Sequence, residues 1–484
     1  MLGGCKLIKG LGALYETGRM LKPGEALGEI PEPKTVYKNI VNIALPSVME
    51  MVLMSLIGSV DTMMVGTLGP EAIAAVGLVG QPRMILLSIL FALNIGITAI
   101  VARRKGEDRP DEANRTMRNA LLIVTVMSVV MAALGLVFSR QLMQLAGAGS
   151  DTIGDARIYF DILAYFLPIN ALTLCICAAQ RGTGNTRITM NVNIASNLVN
   201  VVFNYLLIGG NFGFPRLGVA GAAIATAIGF VVGFVMSVVT VYDHNGNNGF
   251  LRLSRHDDWR LNRETVNGIF KIGGSAMIEQ VALRVGFFAY ARIVADLGTM
   301  AFAAHQIGMQ FLNISFNFGD GIGVAGTSLV GQSLGRCRPD MAKLYGKASQ
   351  RLALTAAFLL VGLIVIFRVP MVGWFTNDSG VLELSAKVML MVAIFQPFQT
   401  SSVVISGALR GAGDTKYVAR VMTLCVAIIR PTLAIISIRM LTDHFGRADI
   451  ALLGAWGASI VDMIIRLTLV YWRFNGGKWH GIKV

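Results

Sequence analysis

Long apolar runs, separated by short polar loops, recur along almost the whole chain. One helix needs about 20 mostly apolar residues to cross the hydrocarbon core of a bilayer. We count twelve such stretches, at roughly 40–62, 74–100, 117–139, 157–180, 188–208, 218–242, 267–293, 302–330, 348–369, 384–409, 418–440 and 450–472. The pattern predicts an all-α integral membrane protein with twelve transmembrane helices.

The composition excludes a soluble globular protein. Of the 484 residues, 54% are hydrophobic and only 14% are charged, whereas a soluble domain carries about 25% charged residues. A soluble fold of this length could not hide so much apolar surface, because surface-to-volume scaling limits how much a globular interior can bury.

The net charge of +14 predicts how the chain is inserted. Lys and Arg collect in cytoplasmic loops, and each even-numbered predicted span is followed by a basic loop, for example Arg103-Arg104-Lys105 after the second span. We therefore expect a multi-pass protein of the inner membrane with both termini in the cytoplasm. The lipid bilayer then accounts for the charge, and no nucleic-acid partner is expected.

An internal repeat divides the chain. The segment 179–187 reappears as 408–416, so that Arg181 matches Arg410, and Leu68-Gly69 reappears as Leu297-Gly298. Pro168 matches Pro397, and all these pairs lie 229 residues apart. Several matches at one offset, without a gap, predict two structurally similar halves.

Two repeats of six spans each have the same orientation in the membrane, and a pseudo-twofold axis along the membrane normal should relate the two lobes. The predicted organisation is a cytoplasmic amino-terminal segment, an N-lobe with spans one to six, a cytoplasmic linker, a C-lobe with spans seven to twelve and a cytoplasmic tail. Their bounds are 1–37, 38–243, 244–266, 267–472 and 473–484. A cleft between such lobes suits alternating access.

Several motifs in this order resemble the multidrug and toxic compound extrusion (MATE) family, over residues 38–472. They are Pro46, Val60-Asp61-Thr62 and Gly69, then 181–186, 197–200 with Asn204, 303–306 and 407–415. The resemblance implies secondary active export of amphipathic, often cationic organic compounds, with H⁺ or Na⁺ as the coupling ion. It implies a transporter and not an enzyme, with no cofactor, and we expect a monomer.

Acidic residues inside spans are the candidates for ion coupling, because a charge at the bilayer centre is costly and is retained for a role. Asp61 resembles the span-one aspartate of the family's amino-terminal cation site, and its family partners map to Asn200, Asn204 and Thr226. Many relatives carry an aspartate where Asn204 stands. A single carboxylate with amide neighbours suits protonation or a weaker cation site. No metal is expected beyond a possible Na⁺ at Asp61.

A second group of polar residues forms a candidate substrate or proton site. These are Glu50 and its repeat mate Glu279, with Asp320, Gln399 and His305. Glu50 and Asp61 are eleven residues apart, so they lie on one helix face at heights that differ by about 16 Å.

Three members of this group have a plainer interpretation. Glu279 could instead form a salt bridge with Arg284, Arg292 or His305. His305 could be a hydrogen-bonding residue rather than a proton relay. Gln399 stands where another branch of the family has an aspartate, so that branch's carboxy-terminal ion site looks absent.

Other motifs and functions receive less support. The G-x-G-x-x-G pattern at 321–326 lies inside an apolar span, which favours helix packing through small residues over dinucleotide binding. Asp462 and Arg466 are four residues apart and favour a structural ion pair. The alternative functions are a flippase for lipid-linked saccharides and an exporter of an anionic metabolite.

Overall fold

The computed structural model describes residues 15–242, 249–254 and 257–482, most of them in long α-helices. Parts of the predicted amino-terminal segment (1–14) and of the predicted linker (243–248 and 255–256) lie outside the described residues.

The helices follow one another with short connections. They are α1 (Pro33–Gly66), α2 (Pro70–Gly106), α3 (Pro110–Val137), α4 (Ser139–Leu145), α5 (Ile153–Tyr165), α6 (Leu167–Thr183), α7 (Thr186–Gly209), α8 (Gly218–Val241), α9 (Arg263–Ala295), α10 (Thr299–Gly335), α11 (Pro339–Gly373), α12 (Ser379–Gly411), α13 (Thr415–Met422), a π-helix (Thr423–Ile429), α14 (Arg430–Phe445) and α15 (Ala448–Asn475), with 3₁₀ turns at Thr17–Arg19 and Asn211–Gly213.

The twelve predicted spans are confirmed as helices. The fourth span is the bent pair of α5 and α6, and the eleventh is α13, the π-helix and α14 in series. Among the described residues, nine helices are long and apolar enough to cross a membrane, or ten with the bent pair. The two others, α9 and α10, are long enough at 33 and 37 residues but carry more polar side chains. The protein is therefore an all-α, multi-pass membrane protein.

The two repeat-related prolines have different effects. At Pro168 the helix breaks into α5 and α6, bent by 51°, because proline has no N–H for the helical ladder and clashes with the preceding turn. Its mate Pro397 lies inside the continuous helix α12. The repeat therefore fixes where proline stands but not how strongly the helix bends there.

The sequence repeat is also a repeat of contacts. The Thr98 hydroxyl donates to the carbonyl of Ala178 over 2.9 Å, and its mate Thr327 donates to the carbonyl of Gly407 over 2.8 Å. A Cβ atom added at Gly182 or at its mate Gly411 would collide with the carbonyl oxygen of that same threonine. Glycine is needed at both places so that two helices can approach closely.

The described chain forms two compact units. One comprises residues up to Val48 together with Ile278–Val484, and the other comprises Met49–Met277. The divisions fall inside α1 and α9 rather than in a loop, and the lobe boundaries proposed from the sequence stay a prediction. In the first unit a large core surrounds the fully buried Trp456.

A segment of irregular chain before α1 is tied to α11 and the turn that precedes it. We call residues 15–32 the first strap. The Lys343 ammonium donates to Glu25 over 2.7 Å and the Lys347 ammonium to the carbonyl of Met20 over 2.8 Å. The backbone N–H of Leu27 donates to Asp340 over 3.0 Å. Met20 is buried, with 1% of its surface exposed.

A second segment makes equivalent contacts in the other unit. We call residues 249–254 and 257–262, which precede α9, the second strap. The side-chain oxygen of Asn114 accepts from the backbone N–H of Arg252 over 2.8 Å, and Arg118 pairs with Asp257 over 3.0 Å. Asn114 and Arg118 on α3 are the repeat mates of Lys343 and Lys347 on α11. Each strap therefore precedes the first span of one half and is bound to the third span of the other half.

Candidate functional site

The predicted partners of Asp61 meet in one polar cluster formed by α1, α7 and α8. The Asn204 amide donates to Asp61 Oδ1 over 2.8 Å. The hydrogen bonds of the Asn200 amide are complete when its nitrogen faces Asp61. In this orientation the nitrogen donates to both carboxylate oxygens over 2.9 Å, and the amide oxygen faces the Thr226 hydroxyl at 3.0 Å. Asp61 is half-buried, whereas Asn200 and Asn204 are buried. The cluster thus presents N–H donors to the carboxylate.

Small residues on α8 let α7 and α8 approach closely enough for this contact. A Cβ at Gly229 would stand 2.8 Å from the carbonyl oxygen of Ser196, and one at Gly221 would stand 2.5 Å from that of Leu207. The Ser196 hydroxyl also donates to the carbonyl of Gly229 over 2.7 Å. The spacing of the glycines therefore sets the distance between the cluster's amide and hydroxyl groups.

Three further side chains complete the cluster, and the sequence motifs do not predict them as part of the site. Tyr159 on α5 lies against Thr226. Arg83 on α2 stands over the ring of Phe230, 5.7 Å from its centroid, and within electrostatic reach of Asp61. An arginine inside an apolar span was the signal that could have found this group.

Glu50 lies at the other end of the same helix face. The Asn193 amide donates to Glu50 Oε1 over 2.6 Å, Thr189 contacts Oε2 at 3.1 Å, and Arg181 stands 3.8 Å away. Glu50 and Asp61 thus both face α7, and their partners Asn193 and Asn204 share the same spacing of eleven residues. Glu50, 6% exposed, is fully enclosed by protein groups.

The repeat mate of this pair has fewer partners. Glu279 is fully buried and pairs with Arg410, whereas Arg292, one of the partners that the sequence suggested, pairs with Asp296. Its second oxygen, Oε2, has no hydrogen-bond partner in the described part of the chain. The positions that match the polar partners of Glu50 on α7 carry Val418 and Met422, which explains the missing donors.

The remaining candidates of the second group lie in different surroundings. Asp320 is within electrostatic reach of Arg410. His305 is buried between the rings of Tyr290 and Trp456, whose centroids are 5.4 and 5.6 Å away. Gln399 is buried on α12, and its side-chain oxygen has no partner among the described residues. The structure thus brings Glu279 and Asp320 to one arginine, while His305 sits in an aromatic core.

A buried ion cluster connects α14 and α15. Asp462 Oδ2 accepts from Arg466 over 2.7 Å and from two nitrogens of Arg430 over 2.7 and 2.9 Å. The predicted pair of Asp462 and Arg466 is present, and Arg430 is the third member of the cluster. Arg430 follows the π-helix directly, and the widened turn alters the direction of side chains after it.

A family model and several known proteins match this chain. The MatE family model matches residues 46–206 and 275–436. A "Probable multidrug resistance protein NorM" of Thermotoga maritima is 27% identical over 93% of this chain and 94% of that protein. The "Multidrug resistance protein PmpM" of Pseudomonas aeruginosa is 27% identical over 80% of each chain. The "Uncharacterized transporter YisQ" of Bacillus subtilis is 26% identical over 93% of this chain and 96% of that one.

Solved structures share the fold. One described as the "Outward-facing conformation of a multidrug resistance MATE family transporter of the MOP superfamily" has a TM-score of 0.82 at 19% identity, covering 92% of this chain and 97% of that one. Another, described as the "Crystal structure of MATE in the bent conformation", has a TM-score of 0.81 at 19% identity, covering 92% and 96%. At this identity the likeness concerns the fold alone.

Proposed function

The chain belongs to the MatE family, whose model covers most of both halves, and from this premise we propose that it is a secondary active multidrug efflux transporter. It exchanges a cation for amphipathic, cationic organic compounds by alternating access. The relatives named as multidrug resistance proteins support multidrug export. The single observation that carries the coupling step is the half-buried Asp61 carboxylate held by the amides of Asn200 and Asn204.

We propose a proton as the coupling ion. Metal cations such as Na⁺ require oxygen ligands, and both oxygens of Asp61 already face N–H groups. A proton needs only one carboxylate oxygen and an acceptor for the new O–H group. The Asn204 side-chain oxygen is buried without a hydrogen-bond partner among the described residues, so a turn of this amide would supply that acceptor.

Protonation of Asp61 would weaken the contacts between α1 and α7 at the Asp61 end, while the contacts at the Glu50 end remain. The contacts of Glu50 with Asn193 and Thr189 on α7 do not involve Asp61 and stay in place. Loss of the negative charge at Asp61 weakens its charge-assisted hydrogen bonds to Asn200 and Asn204. The part of α1 near Asp61 would then move relative to α7 and α8, and substrate would be released outward.

Dye efflux from vesicles tests this proposal. Everted membrane vesicles that contain the wild type are given a proton gradient or a sodium gradient separately, and transport of a cationic dye is followed by fluorescence. We expect transport under the proton gradient alone, and the Asp61→Asn variant should fall to the rate of vesicles without the protein. The matched control is Asp111→Asn, because the Asp111 side chain is 89% exposed.

Three outcomes would contradict parts of the proposal. Transport under a sodium gradient alone would exclude the proton as the coupling ion. Full transport by Asp61→Asn, at equal membrane expression, would exclude Asp61 as the coupling group. No dye transport under either gradient would exclude cationic multidrug export, and lipid-linked saccharides and anionic metabolites would be the next substrates to test.

We also propose that the protein resides in the inner membrane with both termini in the cytoplasm and works as a monomer, with small organic molecules as its ligands. The basic loops after the even-numbered spans support this orientation, since Lys and Arg are retained on the cytoplasmic side. No cofactor is needed for exchange driven by an ion gradient.

A further inference from the structure

Arg83 places a positive charge beside the Asp61 cluster. It lies on α2 well inside the span, is half-buried and stands 5.7 Å from the centroid of the Phe230 ring. It is within electrostatic reach of both Asp61 and Tyr159. Among the described residues the Asp61 carboxylate nevertheless forms no ion pair with Arg83, and its oxygens face the two asparagine amides.

Arg83 differs in this respect from the other arginines that face polar clusters. Arg181 pairs with Glu50, and Arg410 pairs with Glu279. Arg430 and Arg466 share Asp462. In the part of the chain that the structure describes, Arg83 has a ring contact but no carboxylate partner. A guanidinium inside a membrane protein is costly without an anionic or carbonyl partner, so this position favours an anion that arrives with a ligand.

The fold itself does not require a charge at this position. The repeat mate of Arg83 is Leu312, which is 4% exposed and belongs to the apolar core around Trp456. The repeat mate of Asp61 is Tyr290, which is likewise buried. Both charges therefore occur in one half only, where the repeat supplies the same helices without them. Because the other half folds without these charges, their presence in this half is better explained by ligand binding than by folding.

We propose that Arg83 is the anion-recognising residue of the Asp61 site, and that the compounds preferred by this transporter are organic zwitterions. This inference rests on the proposed function and revises its substrate class, because the preferred compounds carry an anionic group beside the cationic one. The negative charge of Asp61 attracts the cationic group of the ligand without displacement of the asparagine amides, and the ligand's carboxylate binds the guanidinium of Arg83, which presents a planar fork of donors that matches a carboxylate. The ring of Phe230 supports the guanidinium from one face.

A matched pair of dyes tests the proposal. A rhodamine with a free carboxylic acid is a zwitterion, and its methyl ester is a cation of nearly the same shape. Binding of each dye to the purified full-length protein is measured by fluorescence anisotropy, and transport is measured in everted vesicles. We expect the wild type to prefer the acid. In Arg83→Gln the ratio of acid to ester affinity should fall at least about tenfold, the loss expected for one charge-assisted hydrogen-bonding pair.

Two further variants separate recognition from folding. Arg83→Lys keeps the charge without the planar fork and should recover part of the preference for the acid. Arg292→Gln is the matched control, because the Arg292 side chain is 70% exposed and pairs with Asp296 within one turn of α9. Each variant is first compared with the wild type in membrane expression and in size-exclusion profile.

The outcomes keep this inference and the proposed function apart. If Arg83→Gln leaves the ratio of acid to ester affinity unchanged, including the case in which both affinities fall equally, Arg83 does not recognise the anionic group. Binding that depends on Arg83 as expected, without ion-driven transport, overturns the proposed function but leaves the recognition site standing. If the wild type binds neither dye, the substrate class is wrong both in this inference and in the proposed function.

Discussion

At the scale of single residues, this protein balances charges inside its helices in several ways. Glu50 is surrounded by donors, Glu279 has one arginine, and Asp61 has amides and a more distant arginine. Asp462 is shared by two guanidinium groups, so that cluster keeps an excess positive charge within the protein. A carboxylate that balances two buried cations should be the most sensitive of these acids to neutralisation.

We expect Asp462→Asn to destabilise the protein strongly. Breaking a buried ion pair on one side costs about 3–5 kcal/mol, because the remaining charge stays buried without compensation. The thermal midpoint of the detergent-purified protein, followed by size-exclusion chromatography after heating, should fall clearly below that of the wild type. The exposed Asp443→Asn serves as the control. An unchanged midpoint for Asp462→Asn would show that Arg430 and Arg466 find another partner.

At the scale of elements, the two straps show that the repeat includes more than the spans. In the first strap, burial opposes ionisation of Glu25, but the Lys343 ammonium and the backbone N–H of Lys22 outweigh it and hold the pKa of Glu25 below its ordinary value of 4.5. Because its pKa is lowered in the bound strap, ionised Glu25 stabilises the bound strap at pH values above its ordinary pKa of 4.5. This stabilisation is lost as the pH falls through the lowered pKa.

We expect Lys343→Gln to free the first strap. The variant removes the ion pair with Glu25, and hydrogen–deuterium exchange of residues 15–32 should become several-fold faster at neutral pH. In the wild type the same segment should exchange faster only as the pH falls below about 4.5, after correction for intrinsic rates. Lys387→Gln on α12 is the control, because this lysine is 44% exposed and pairs within its own helix. Unchanged exchange in Lys343→Gln would mean that Met20 and Asp340 hold the strap without the ion pair.

At the scale of the whole molecule, the two repeat halves share helix contacts but differ in the polar side chains inside them. The threonine-to-carbonyl contact and the glycine beside it occur in both halves. The Asp61 cluster occurs in one half, and the corresponding position in the other carries Tyr290 among aromatic rings. A duplicated scaffold can therefore carry ion coupling in one half while the other half serves a different role.

The proposed orientation can be tested with a native cysteine. Cys337, in the turn between α10 and α11, is exposed, whereas Cys175, Cys177 and Cys425 are buried. In a Cys5→Ser background, a membrane-impermeant maleimide should label Cys337 in everted vesicles and leave it unlabelled in intact spheroplasts. The reverse pattern is expected for Ser150→Cys, in the loop that follows α4, once Cys337→Ser has also removed the native exposed cysteine. Labelling of Cys337 from outside would place this turn, and with it both termini, on the opposite side.

The sequence by itself determined the helices, the repeat and the identity of the acids. The length of each apolar run matches the thickness of the bilayer core, which identifies the spans. The repeat is visible in the sequence as a constant offset of 229 residues. The sequence also grouped Asp61 with Asn200, Asn204 and Thr226, because the resemblance to a family carries residues that are distant in the chain.

Only the tertiary structure decided which groups lie beside those acids. The partner of Glu279 proved to be Arg410, 131 residues away, and Arg430 joined Asp462 across two helices. Arg83, Tyr159 and Phe230 reached the Asp61 cluster from three different helices. Helical periodicity predicts which residues share a face, but the rotation and close approach of each helix are set by packing against neighbours that are remote in the sequence.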